Sequence, residues 1–163
     1  MSLSRSALIP GLAGLLLLGA GAAIAADCLT PREREAHEVY ALRTEALVGA
    51  QSCRMLDRFN AFATRFSAEL IDEGRTLRAH YLKLYGKRGD AKLDDFVTGL
   101  SNTTFVRGSE AGDFCGATAA LFERIEAVPV GQLAAFSHSR TALALPPVDA
   151  CDKQAAVPAA KLP

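Results

Sequence analysis

The sequence predicts an all-α protein: a small, disulfide-stapled bundle of four to five helices, with an antiparallel hairpin of two long helices at its core. Three observations predict it. Every apolar pattern after residue 26 repeats at a spacing of three or four, the period of an amphipathic helix. No alternating β-branched run and no hairpin dipeptide between apolar stretches occurs, so strand signals are absent. Four cysteines follow an export-type leader, where disulfides are permitted.

The leader comes first in the chain. Arg5 is its one charge, an apolar run from Ala7 to Ala26 follows, and Ala23-Ile24-Ala25-Ala26 precedes Asp27. A positive start, an apolar centre and a small-residue site make a cleaved secretory signal peptide over residues 1–26. The expected mature N-terminus is Ala26 or Asp27. The rival reading is an uncleaved membrane anchor, since about 20 apolar residues can span a bilayer. Pro10 and the glycine-rich end weaken it. A lipidated Cys28 is a third option, and Asp27 is poorly suited to the position before such a cysteine.

The first mature helix starts at Thr30-Pro31-Arg32-Glu33. Thr30 can cap, Pro31 suits the first helical position and Glu33 closes a capping box. Val39, Leu42, Ala46, Gly49 and Cys53 form its apolar stripe, with Arg32, Arg34, Glu35, Glu38, Arg43 and Glu45 on a solvated face. The second helix is expected from Leu56 to Tyr85, carrying Leu56, Phe59, Phe62, Ala63, Phe66, Leu70, Leu77, Tyr81 and Leu84. A kink or exposed turn is expected at Glu73-Gly74, and Gly86 is placed to end the helix. Asp90 caps a third helix, with Leu93, Phe96, Val97 and Leu100 inward, ending near Asn102-Thr103-Thr104. Ser109 caps a fourth, carrying Phe114, Thr118, Leu121, Phe122 and Ile125. Pro129 opens a short fifth, through Leu133 and Phe136 to about Leu143. The domain is thus 27–145, and a Pro/Ala-rich tail, 146–163, is tethered by Cys151. No internal repeat occurs.

Antiparallel packing puts Cys53 and Cys115 at one end of the bundle. The tail can reach back toward Cys28. The expected bridges are therefore Cys53–Cys115 and Cys28–Cys151, the first being the firmer of three possible connectivities.

Composition excludes several functions. The chain has 163 residues, 50% of them hydrophobic and 22% charged, with 18 Lys+Arg against 18 Asp+Glu. It is too apolar for a disordered chain, and balanced charge argues against a nucleic-acid partner. Removal of residues 1–26 takes one cation and no acid, leaving the mature chain at net −1. There is no C-x-x-C, no H-E-x-x-H, no G-x-S-x-G and no Walker loop, so no redox, zinc-protease, serine-hydrolase or nucleotide motif. His37, His80 and His138 stand singly in sequence, which does not favour a metal. No catalytic, cofactor-binding or metal residue is assigned. Asp72-Glu73 and Asp94-Asp95 are adjacent pairs, which point about 100° apart on a helix and read as solvated faces. The phenylalanines at helical spacing read as core.

One feature stands out. Arg75, Arg78, Lys83, Lys87, Arg88 and Lys92 crowd a short stretch interrupted only by Asp90 among acids, with His80, Tyr81 and Tyr85 interleaved. The bland reading is cations complementing a helix C-terminus. The functional reading is an anionic partner: lipid phosphates, a cell-wall polymer or an acidic envelope protein. The sequence thus points to a monomeric, periplasmic, non-catalytic protein that binds another envelope macromolecule, meeting the membrane itself only through its signal peptide. Two alternatives stay open: a small hydrolase or lyase with an unmotifed carboxylate site, and a structural or stress-protective envelope protein.

Overall fold

The computed structural model describes residues 29–140. The predicted signal peptide, the Cys28–Cys151 bridge and the tail from 146 lie outside them. The described residues form six α-helices and one 3-10 turn. These are α1 (Pro31–Ser52), α2 (Leu56–Arg65), α3 (Ser67–Tyr85), the turn Gly86–Arg88, α4 (Gly89–Glu110), α5 (Phe114–Glu126) and α6 (Leu133–His138). No strand occurs among them. The five expected helices are present, with the second divided into α2 and α3.

Helix α1 begins as its sequence requires. Glu33 N–H donates to Thr30 Oγ1 at 3.2 Å, and Thr30 N–H donates to Glu33 Oε2 at 2.8 Å. This reciprocal box satisfies two otherwise orphaned donors. The helix is not one stripe with a solvated back, however. Ala36, His37, Val39, Ala41, Leu42, Thr44, Ala46, Gly49 and Ala50 are all buried, and together they ring the helix. Every other α-helix packs on it. Its many alanines and Gly49 let neighbours approach on all sides. A Cβ on Gly49 would meet Thr118 Oγ1 of α5 at 2.6 Å. The charged residues of the expected solvated face are half-buried and several are tied to neighbours: Arg140 to Glu45 at 2.9 Å and His138 to Glu38 at 2.9 Å.

The core joins Val39, Leu42, Ala46 and Ala50 of α1 to Phe59, Phe62 and Phe66, and to Leu121, Phe122, Ile125, Val128 and Leu133. Each fully buried large apolar side chain contributes about 1.5–3 kcal/mol. Leu56, placed by its spacing in the stripe, is instead 47% exposed.

The break in the second helix is at Phe66, not at Glu73-Gly74. Phe66 adopts φ −104°, ψ 20°, outside the helical basin, and its side chain is buried. Arg65 fixes the break by donating to the carbonyls of Glu126 at 2.6 Å and Val128 at 2.7 Å. Gly74 lies inside the continuous α3. A glycine permits a kink without compelling one, and here α3, packed against α1 and α4, is helical through it. Gly86 does end α3, at φ +55°, a region that glycine enters without steric cost.

Two expected caps differ. Asp90 lies in the first turn of α4 and holds Arg78 rather than the helix end. Ser109 lies inside α4, its hydroxyl donating to Val106 O at 2.7 Å. Asp113 caps α5, accepting from Gly116 N–H at 2.9 Å. Helix α4 runs through Asn102-Thr103-Thr104 without stopping; just before them, the Ser101 hydroxyl donates to Val97 O at 2.9 Å on the preceding turn. Helix α6 is shorter than expected. Its start is capped from α3, where the Glu69 carboxylate accepts from Gly131 N–H at 2.9 Å and Leu133 N–H at 3.0 Å.

The Cys53–Cys115 disulfide is formed, with Cα atoms 5.4 Å apart. It joins the end of α1 to the start of α5, as antiparallel packing of the long helices requires.

Candidate functional site

The basic end is built by the reversal from α3 to α4. Gly86 turns the chain and Gly89 restarts it, so α3 and α4 lie side by side. A Cβ on Gly89 would stand 2.7 Å from the Leu82 backbone, which is how close the two helices come. The six cations divide here. Arg78 grips Asp90 with two bonds, Nε to Oδ1 at 2.7 Å and Nη2 to Oδ2 at 2.9 Å. That pairing holds the Asp90 carboxyl below, and the Arg78 guanidinium above, their usual ranges. Lys92 Nζ is 2.8 Å from Asp95, and Lys83 Nζ is 3.8 Å from Glu33. Arg75, Lys87 and Arg88 are exposed and carry no ion pair among the described residues. Tyr85, 43% exposed, stacks on Tyr81 just before Lys87 and Arg88 in the chain, while Arg75 lies ten residues, about 15 Å, back along α3.

A second constellation went unread in the sequence. His37 of α1 and His80 of α3, 43 positions apart and each apparently solitary, meet edge to face with ring centroids 5.2 Å apart. Both are buried, at 3% and 6% exposure. Tyr81 and Phe96 close around His37, at 5.8 and 5.2 Å. His37 Nδ1 is 2.7 Å from the Glu33 carbonyl oxygen. A carbonyl only accepts, so Nδ1 carries hydrogen and Nε2 is the atom that takes up a proton. His80 Nδ1 stands 3.2 Å from Glu33 Oε1, at ion-pair distance but without hydrogen-bond alignment.

Burial pushes the His37 imidazole below its ordinary range, and the neighbouring His80 adds to this; the Glu33 carbonyl only partly opposes it. Burial alone would raise the Glu33 carboxyl, but the Thr30 backbone, His80 and the Thr30 hydroxyl together bring it down to about 2. Burial also lifts the Tyr81 phenol to about 12. No sequence spacing could have shown this cluster, because it depends on the register of α1 against α3.

The carboxylate pairs resolve differently from expectation. Glu73 is not on a solvated face; it is 6% exposed, and burial raises its carboxyl despite the bond from Arg32. Arg32 reaches across from α1 to Glu73 and, through Nη2 at 2.6 Å, to Asp72. Its fork bridges two carboxylates that do not face each other. Asp94 and Asp95 do lie on the exposed face of α4.

Among the described residues no group of three or more His, Cys, Asp or Glu stands so as to hold a metal ion. A groove of about 600 Å³ runs between α1 and α6 beside Leu29, Pro31, Ala134 and His138. A smaller cavity of about 160 Å³ lies under Thr104, Gly108 and Phe114. Neither is lined by His37, His80 or Glu33. Among the described residues no helix is long and apolar enough to cross a membrane. No protein-family model matches the chain, and no curated protein or solved structure is significantly similar to it.

Proposed function

We propose that this chain is an exported, non-catalytic helical protein of the bacterial periplasm that, beyond the signal-peptide contact its sequence suggests, docks on an anionic lipid surface of the envelope through the α3–α4 reversal. The observation that carries the reading is the division of the six cations. Arg78, Lys83 and Lys92 face carboxylates, while Arg75, Lys87 and Arg88 are exposed and without an ion pair among the described residues. With the mature chain near neutrality, attraction to a polyanion has to be local. The exposed Tyr85 favours lipid headgroups over a soluble polymer, because tyrosine and basic side chains together suit a membrane–water interface. The leader-like residues 1–26 and the disulfide are consistent with export.

Co-sedimentation with vesicles tests it. Binding is expected with vesicles containing anionic phospholipid and not with neutral ones, and should weaken as salt rises, since exposed charges are screened beyond about 8 Å at physiological ionic strength. Changing Arg75, Lys87 and Arg88 together to Gln should remove most binding while leaving the melting temperature nearly unchanged, because exposed charges contribute little stability. Binding to isolated cell-wall polymer but not to vesicles would move the partner to that polymer. Indifference to salt and to the triple change would return these residues to a solvated helix end.

A further inference from the structure

We propose that His37, packed against His80, Tyr81 and Phe96 at the N-terminal end of α1, forms an acid-sensitive latch: its uncharged ring holds α1 against α3 and α4, and a proton on that ring releases that end. The proposal does not depend on what the basic end binds.

The latch is an interface. His37 belongs to α1, His80 and Tyr81 to α3, and Phe96 to α4. Their rings lie 5.2 to 5.8 Å apart, so one aromatic cluster joins three helices. The charged and titratable groups around it are few. Helix α1 offers Glu33 and Arg34, α3 offers His80, Tyr81 and Lys83, and α4 meets His37 with the uncharged Phe96. Glu33 is already engaged by Thr30 and stands near both His80 and Lys83. Its carboxylate is therefore already shared before a charge arrives on His37. A proton arriving on His37 Nε2 would place a cation 5.2 Å from the His80 ring in a site almost closed to water. Burial outweighs the opposing bond to the Glu33 carbonyl, and His37 stays below its ordinary range.

The sign follows. A histidine whose pKa falls on folding contributes stability that is fully present above its unfolded value of 6.5 and is lost as pH falls below it. Opening of this end should then grow by up to about tenfold for each pH unit below 6.5 that His37 resists protonation. The far end is held by the Cys53–Cys115 bridge and the phenylalanine core, so release stays local.

Amide hydrogen exchange of the whole mature protein, corrected for intrinsic chemistry, tests this between pH 7.5 and 5. Amides at the N-terminal end of α1, from about Glu35 to Glu38, should lose protection by tenfold or more, while those of α5 change less than about threefold. His37→Phe, which keeps a buried ring and removes the titration, should abolish the response. His138→Gln removes the bond from α6 to Glu38 of this segment and should leave the pH response intact, whatever it does to protection at every pH. If His37→Phe does not fold, the imidazole carbon resonances of the unaltered protein decide: His37 should titrate below 6.5, in step with the loss of protection. A response that survives in His37→Phe, or a His37 that titrates at 6.5 without loss of protection, overturns the latch.

Discussion

Arg32 shows how one side chain can decide the fate of two others. Its guanidinium spans the α1–α3 contact to Asp72 and the buried Glu73. Removing it would strand the Glu73 carboxylate. Arg32→Ala should therefore cost about 1–3 kcal/mol, the penalty of an unsatisfied buried acceptor. Adding Glu73→Gln to that variant should recover part of it, as measured by urea unfolding at pH 7. Glu33 offers a separate test in acid. Its carboxyl, held near 2 against an ordinary 4.5, contributes stability that is present above 4.5 and lost as pH falls toward 2. Glu33→Gln keeps an oxygen for the Thr30 N–H but cannot titrate, so its unfolding midpoint should depend less on pH between 4.5 and 2. The sequence could show Glu33 as a capping residue from Thr-x-x-Glu alone. It could not show Glu73 as buried, because that depends on which face of α3 meets α1.

At the scale of elements, local signals and packing divide the credit. Thr30-Pro31 and Gly86 mark real helix ends because each acts through its own backbone. Asp90 and Ser109 resemble caps equally well, yet Arg78 captures the first and the preceding turn captures the second. The Phe66 break is invisible to periodicity, since the apolar register runs on through it. It is imposed by burial of the ring and by Arg65 reaching the end of α5. Gly74 yields a prediction in the opposite sense to a kink. A Cβ there meets nothing within 4 Å, and the helix is continuous. Gly74→Ala should therefore stabilise the protein by about 0.5–1 kcal/mol. Gly49→Ala should destabilise it by about 1–3 kcal/mol, because its methyl would collide with Thr118 across the α1–α5 contact. Thermal unfolding of the two variants should shift in opposite directions; equal shifts would refute the packing of α1 on α5.

For the whole molecule, the long-range staple and the charge layout matter most. The Cys53–Cys115 bridge closes a loop of 62 residues, worth about 4 kcal/mol in the chain-entropy model. Reduction should lower the denaturant midpoint accordingly, and Cys53→Ser with Cys115→Ser should reproduce the effect. The all-α class and this pairing were readable because antiparallel helices of known length fix which ends meet. The basic end was readable as a cluster in sequence, but not the partition within it, which follows from the side-by-side placement of α3 and α4. The most direct test of a stapled bundle that presents this end to an anionic surface is backbone amide NMR during titration with anionic phospholipid bicelles. The account predicts shifts centred on Arg75, Tyr85, Lys87 and Arg88 that fade as salt is added. Shifts centred instead on the exposed Phe105 and Val106 of α4, or none at bicelle concentrations where co-sedimentation detects binding, would contradict it.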